Sequence, residues 1–189
     1  MFEKNLQSRI LQLRHELIFC AIALAACPAA GAEARKYVTE HIVVNTPPEY
    51  VFHAIRKMRD QDRYGRKTLT YDGKVATVDE QMHGVAIYGN VHCVWQESEK
   101  PYESIEYKIL SSDHFKSASG RYILTPSADN KTTSVEVSTT MDSGLRIPLG
   151  DNITRMNVAK DSKERLARMK QAAETDFKDG VKPVAPPIK

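Results

Sequence analysis

Between Lys67 and Met141 the chain carries no helical periodicity. β-branched, aromatic and aliphatic residues alternate with polar ones in five or six short runs, each bounded by a turn signal. Strands of that kind have one apolar face, and a sheet with one apolar face must be covered by another part of the chain. The breaks at Asp72-Gly73, His83-Gly84, Glu99-Lys100-Pro101, Ser112-Asp113 and Ala128-Asp129-Asn130 predict strands over Lys74–Met82, Val85–Glu97, Ser104–Ser111, His114–Thr125 and Thr132–Met141. Links this short join antiparallel neighbours, so the run predicts a meander.

The flanking segments supply the cover. Residues 36–45 alternate Val38, Glu40, Ile42 and Val44 against Tyr37, Thr39, His41 and Val43, which is a strand. Thr46-Pro47-Pro48-Glu49 then offers a hydroxyl cap, prolines where first-turn N–H groups lack helical partners, and a glutamate three residues after the cap. A helix is predicted from Pro47 to about Arg63, with Val51, Phe52, Ile55 and Met58 as its apolar face. After a loop holding Gly144, Pro148 and Gly150, Asp151 or Asn152 is read as the cap of a long helix running to about Lys178. Its stripe is Met156, Ala159, Lys163, Leu166, Met169, Ala173 and Phe177, which must be buried. Gly180 ends that helix, and residues 179–189 form a proline-rich tail expected to be unpacked. The order gives an α+β chain with one folded domain over 36–178.

Residues 1–32 read differently. Lys4, Arg9 and Arg14 precede the apolar run Leu17–Ala26, and Ala30-Gly31-Ala32 fits a signal peptidase site. A signal peptide over 1–32 is expected, with the mature chain starting at Glu33 and exported to the periplasm or secreted. Pro28 and Gly31 interrupt a run already shorter than the roughly 20 residues of a membrane span. Leu24-Ala25-Ala26-Cys27 also has the order of a lipobox, so lipidation at Cys27 is the alternative. Contact with a membrane is expected only through Cys27 or an uncleaved signal. Cleavage leaves Cys93 as the remaining cysteine, and no disulfide framework is expected.

The order of elements resembles the helix-grip fold of the START-like (SRPBCC) superfamily, which includes polyketide cyclase/dehydrase and coenzyme Q-binding-like proteins. Thr46-Pro47-Pro48-Glu49-Tyr50-Val51-Phe52, the Glu97–Tyr107 stretch with Pro101, Gly120-Arg121-Tyr122-Ile123-Leu124, and Lys163-Glu164-Arg165-Leu166 with Met169-Lys170 carry the likeness. It implies a curved antiparallel sheet of about six or seven strands around a long C-terminal helix, with a short helix after the first strand. It also implies a small hydrophobic ligand, such as a lipid, quinone or polyketide-like molecule, held between sheet and helix. One helix is narrower than the hollow of a strongly curved sheet, so a dry apolar cavity remains unless large side chains fill it.

By strand parity Val91, Cys93, Trp95, Ile105, Tyr107, Ile109, Tyr122, Leu124, Val137 and Met141 face that space, and Met156, Leu166 and Met169 face it from the helix. The candidate ligand-binding residues are Trp95, Tyr107, Tyr122, Met141, Met156, Leu166 and Met169. Methionine adapts to irregular guests, and Trp or Tyr offers a flat apolar surface with one polar handle. The same residues equally suit a filled core, which would make the domain an interaction module with a closed cavity.

No catalytic set is legible. His41, His53, His83, His92 and His114 are scattered over different elements, which argues against a metal site, and His92 and Cys93 point to opposite faces of one strand. Neither a nucleophile elbow nor a phosphate-cradling glycine loop is present, and no cofactor is expected. The pairs Asp79-Glu80 and Glu97 with Glu99 read as solvated edge positions, and Glu106 as pointing away from the apolar side. A net charge of +3 is no electrostatic case for nucleic acid. The expectation is a non-catalytic carrier. The alternative, a cyclase/dehydrase-type enzyme, requires an ionisable residue deep in the cavity.

Overall fold

The computed structural model describes residues 37–60, 65–85 and 87–184; the expected signal peptide, Cys27 and the last residues of the tail lie outside the described residues. Among the described residues seven strands form one antiparallel sheet: β1 (Val38–Val44), β2 (Arg66–Tyr71), β3 (Val75–Val85), β4 (Gly89–Lys100), β5 (Ser104–Ser112), β6 (Ser117–Pro126) and β7 (Thr133–Asp142). The order across the sheet is β1-β7-β6-β5-β4-β3-β2. The predicted meander is therefore β2 to β7, and β1 closes onto its far edge with Val38 opposite Thr139 and Val44 opposite Thr133. Register shifts at Thr68/Thr70, Met82/Val85 and Val94/Trp95 interrupt the ladders. Each inserts residues into one strand, which bends it and curls the sheet. The expected turn at His83-Gly84 is absorbed into β3, and the chain reverses between Val85 and Gly89, with the Tyr88 N–H donating to the Val85 carbonyl.

Helix α1 (Pro48–Lys57) passes into a 3-10 turn at Met58–Asp60, so its helical part is shorter than predicted; residues 61–64 lie outside the described residues. Thr46 is not its cap. Pro47 occupies the cap position, no side chain caps the helix, and the Thr46 hydroxyl is buried without a partner while its carbonyl accepts from Thr133 Oγ1 at 2.8 Å. Helix α2 (Gly150–Lys178) also starts differently from expectation: Leu149, at φ +64°, holds the cap position and neither Asp151 nor Asn152 caps it.

The long helix packs against β1, β7 and α1. Its buried face is Thr154, Val158, Ser162, Leu166, Met169, Ala173 and Asp176. That overturns part of the predicted stripe: Met156 is 72% exposed and Phe177 46% exposed, although Phe177 still sets its ring edge-on to Tyr50 at 5.0 Å. Polar Thr154 and Ser162 occupy the face that a purely apolar pattern assigned to Met156 and Ala159. The apolar interior divides in two. One cluster joins α1, the middle of β7 and Leu166, Met169 and Ala173 of α2. The other lies on β3 and β4, where Ala76, Val78, Val91, Cys93 and Trp95 meet Phe115 and Ala118.

Candidate functional site

Between the two clusters lies a cavity of about 520 Å³. Ile55 reaches it from α1 and Met58 from the 3-10 turn that follows, Met82 and Trp95 from β3 and β4, Tyr107, Tyr122, Val137 and Met141 from β5 to β7, and Val158 from α2. Strand alternation puts the aromatic residues there, and their neighbours fix their poses. The Tyr107 ring stands edge-on to Trp95 at 6.1 Å and tilted against Tyr122 at 5.8 Å. Its hydroxyl shares a 2.5 Å hydrogen bond with Thr139 Oγ1. Gly120 makes that pose possible: it lies directly opposite Tyr107 in the ladder, and a Cβ there would collide with the Tyr107 hydroxyl and the Ser138 carbonyl. Burial raises the pKa of both Tyr107 and Tyr122, so both are protonated at neutral pH. Trp95 Nε1 is buried without a partner.

One end of the cavity is charged. Glu97 accepts from Arg59 Nε at 2.5 Å and from Arg66 Nη2 at 2.8 Å. Glu80 lies 3.5 Å from Arg66 Nε and 3.2 Å from Arg165 Nη2, and Arg165 also pairs with Asp161 at 2.7 Å. Beyond them Glu99 meets Arg59, lies 3.4 Å from Arg56, and accepts from the Tyr71 hydroxyl at 2.8 Å. Burial alone would push the Glu97 carboxyl up, but the Arg66 and Arg59 charges outweigh it and hold that carboxyl below its usual range. Burial likewise works against the Arg165 cation, and Asp161 and Glu80 overcome it, raising its pKa well above the ordinary value.

This corrects the reading of Glu80, Glu97 and Glu99 as solvated: they are 1%, 6% and 6% exposed. Asp79, on the other face of β3, is the partly exposed partner of His92 at 2.6 Å. The inward glutamates have a signal in the sequence, because Glu97 and Glu99 continue the parity of Val91, Cys93 and Trp95, and Glu80 that of Ala76 and Val78. Of the predicted ligand-binding residues, Trp95, Tyr107, Tyr122 and Met141 come together on the cavity wall. Leu166 and Met169 are buried in the cluster beside it, and Met156 points to solvent. Glu106 is exposed, as its parity required.

A curled antiparallel sheet closed on one side by a C-terminal helix, with a hollow between them, defines a helix-grip protein. The chain belongs to the polyketide cyclase/dehydrase and lipid transport family, whose family model matches residues 35–174. Solved structures with this fold include an aromatase/cyclase, Zhui, from Streptomyces sp. R1128, at 12% identity and TM-score 0.57 over 78% of this chain and 96% of that one. The protein TTHA0849 from Thermus thermophilus matches at 17% identity and TM-score 0.57, over 78% of this chain and all of its own. A START superfamily protein from Mycobacterium smegmatis matches at 17% identity and TM-score 0.51, over 77% and 99%. At these identities the likeness is one of fold. No curated protein matches the chain by sequence.

Proposed function

We propose that the domain binds and carries one small, largely apolar molecule in the hollow between sheet and helix. The observation that carries this reading is the cavity of about 520 Å³, walled by Trp95, Tyr107, Tyr122, Val137 and Met141. It falls within the range of about 300–1,000 Å³ for small-molecule sites. An interaction module with a closed interior is disfavoured by the same volume. Export belongs to the proposal and rests on the pattern of residues 1–32; N-terminal sequencing of protein from the host's extracytoplasmic fraction should begin at Glu33, and an intact Met1 there would refute it.

Trp95 is the sole tryptophan and lies on the cavity wall, so its emission is a built-in reporter. Titrating apolar compounds should shift or quench it saturably, and native mass spectrometry should show one bound molecule. Val137→Phe, which fills the hollow, should abolish both signals while the circular dichroism spectrum is unchanged. Silence of Trp95 across a broad apolar library would refute the reading. The enzyme alternative is favoured by one observation, the presence of Glu80, Glu97, Arg66 and Arg165 on the wall. Against it, Glu97 is held ionised and both tyrosines protonated, which leaves none of these three poised for proton transfer near neutrality. A bound guest that loses water over time in the mass spectrum would decide for the enzyme.

A further inference from the structure

We infer that the mouth of the cavity is a docking surface for a bilayer carrying anionic headgroups, into which Ile87, Ile147, Leu149 and Met156 insert. The inference rests on the carrier reading above, since an apolar guest needs a water-free route in and out. These four aliphatic side chains are 61%, 46%, 71% and 72% exposed. They lie on the β3–β4 turn, the β7–α2 loop and the first turns of α2. Those same segments contribute Val85, Tyr88, Leu145 and Thr154 to the cavity wall. The tips therefore ring the entrance.

Two of them are held there against backbone preference. Ile87 has φ +76° and Leu149 φ +64°, a region that bulky and β-branched residues avoid. The segments are tied together as well: the Tyr88 hydroxyl donates to the Ser143 carbonyl at 2.5 Å, and Ser143 Oγ and Thr154 Oγ1 share a hydrogen bond of 2.7 Å. A braced rim with aliphatic tips on protruding turns suits insertion among acyl chains more than packing against a flat protein face.

Charge selects the headgroup. Lys116, Arg146, Arg155 and Lys160 lie on or beside these segments, and among the described residues none of the four is in an ion pair. Lys116 is placed at the rim by its contact with Gly144. The acids of the same segments are fewer: Asp113, which shares the loop of Lys116 and accepts from the His92 N–H, with Asp142 and Asp151, while Asp161 is committed to Arg165 at 2.7 Å. Excess unpaired cations around an apolar tip are drawn to an anionic surface.

The test uses the full chain with one added reporter. Leu149→Trp is compared with Val43→Trp; Val43 is 54% exposed and pairs with Ser134, about 30 Å along β7 from Ser143 at roughly 3.3 Å per residue. Emission of the parent, from Trp95 alone, is the baseline. With phosphatidylcholine vesicles containing a third phosphatidylglycerol, the L149W signal should shift to the blue and be quenched by brominated acyl chains, while the V43W signal should not. Adding Ile87→Ser and Ile147→Ser should weaken vesicle binding read by L149W at least tenfold. Arg146→Glu with Arg155→Glu should remove the preference for phosphatidylglycerol. The inference is overturned if L149W stays water-exposed with both vesicle types or if L149W and V43W are quenched alike. A blue shift without vesicles that grows with protein concentration, meaning a second copy covers the rim, also overturns it. The readouts separate: Trp95 answering apolar guests while L149W stays in water leaves the carrier reading standing and removes the docking surface.

Discussion

Replacing Glu97 by Gln is the sharpest test of the buried charge network, because the substitution keeps the shape and removes the charge. In the native chain the two Glu97 oxygens receive Arg59 Nε at 2.5 Å and Arg66 Nη2 at 2.8 Å, with the three side chains 8%, 4% and 11% exposed. Removing one partner of a buried pair costs about 3–5 kcal/mol, since the remaining charge stays desolvated. Here each arginine keeps a second carboxylate, Glu99 for Arg59 and Glu80 for Arg66, so the lower figure applies. About 3 kcal/mol lowers the melting temperature of a domain this size by about 6–12 °C. The pH dependence has a definite sign. The folded-state pKa of Glu97 is depressed, so its stabilisation is fully present above the ordinary carboxylate pKa and is lost as pH falls through the folded value. Urea unfolding followed by circular dichroism should show the full deficit of E97Q at pH 7 and a shrinking one below about pH 4. A melting temperature within about 2 °C of the parent at pH 7, or a deficit equally large in acid, would refute the account.

Gly120→Ala places a methyl group where the Tyr107 hydroxyl and Ser138 carbonyl stand, so it should cost about 2–3 kcal/mol and alter Trp95 emission through the displaced Tyr107 ring. Leu166→Ala should cost about 2–5 kcal/mol in urea unfolding while Met156→Ala stays within about 0.5, and equal effects would contradict the corrected helix face. Cys93 is fully buried and burial pushes its thiol up to about 11; at pH 8 a thiol reagent should label Cys93 only at the rate of global unfolding, and fast labelling would show an open β3–β4 face.

The meander is legible because each of its strands alternates cleanly and is ended by Gly, Pro, Asn or Asp. Strand ends at Ser104 and near Thr132 agree within a residue, while the His83-Gly84 turn fails because β3 bulges at Met82/Val85 and runs through it. The two helix caps mislead for a common reason. Thr46 and Asp151 have the side chains of caps, but Pro47 and Leu149 take the cap positions with no side-chain bond. The helix face fails where it is least apolar: Thr154 and Ser162 are buried and form or flank polar contacts, so hydrophobic periodicity assigns Met156 inward instead. The aromatic wall follows from parity. The acidic end also follows from parity, and only the habit of placing charge in water overrides alternation at Glu80, Glu97 and Glu99. Their partners Arg59, Arg66 and Arg165 come from segments distant in sequence and lack any local pattern that links them.

The hollow itself has a dimensional cause. Seven strands at about 4.8 Å spacing span about 29 Å, and two helices of about 10 Å cover about 20 Å of it. Because α2 packs on β1, β7 and α1, the uncovered width falls over β3 and β4. Of the inward residues there, Ala76, Val78, Val91 and Cys93 are small and packed with Trp95, Phe115 and Ala118, and the apolar ones that reach the cavity wall, Met82, Val85 and Trp95, are too few to fill an uncovered strip of about 9 Å. At the α1 end the long side chains of Arg59, Arg66 and Arg165 bridge it and must bring carboxylates with them to remain in a dry interior. Toward the mouth Met82 and Trp95 stand at the wall, and the space between them and Val158 stays open. The charged end and the empty end are thus two answers to one mismatch of width, and larger residues at Val137 and Val158, which line the open space, would convert the second into a filled core.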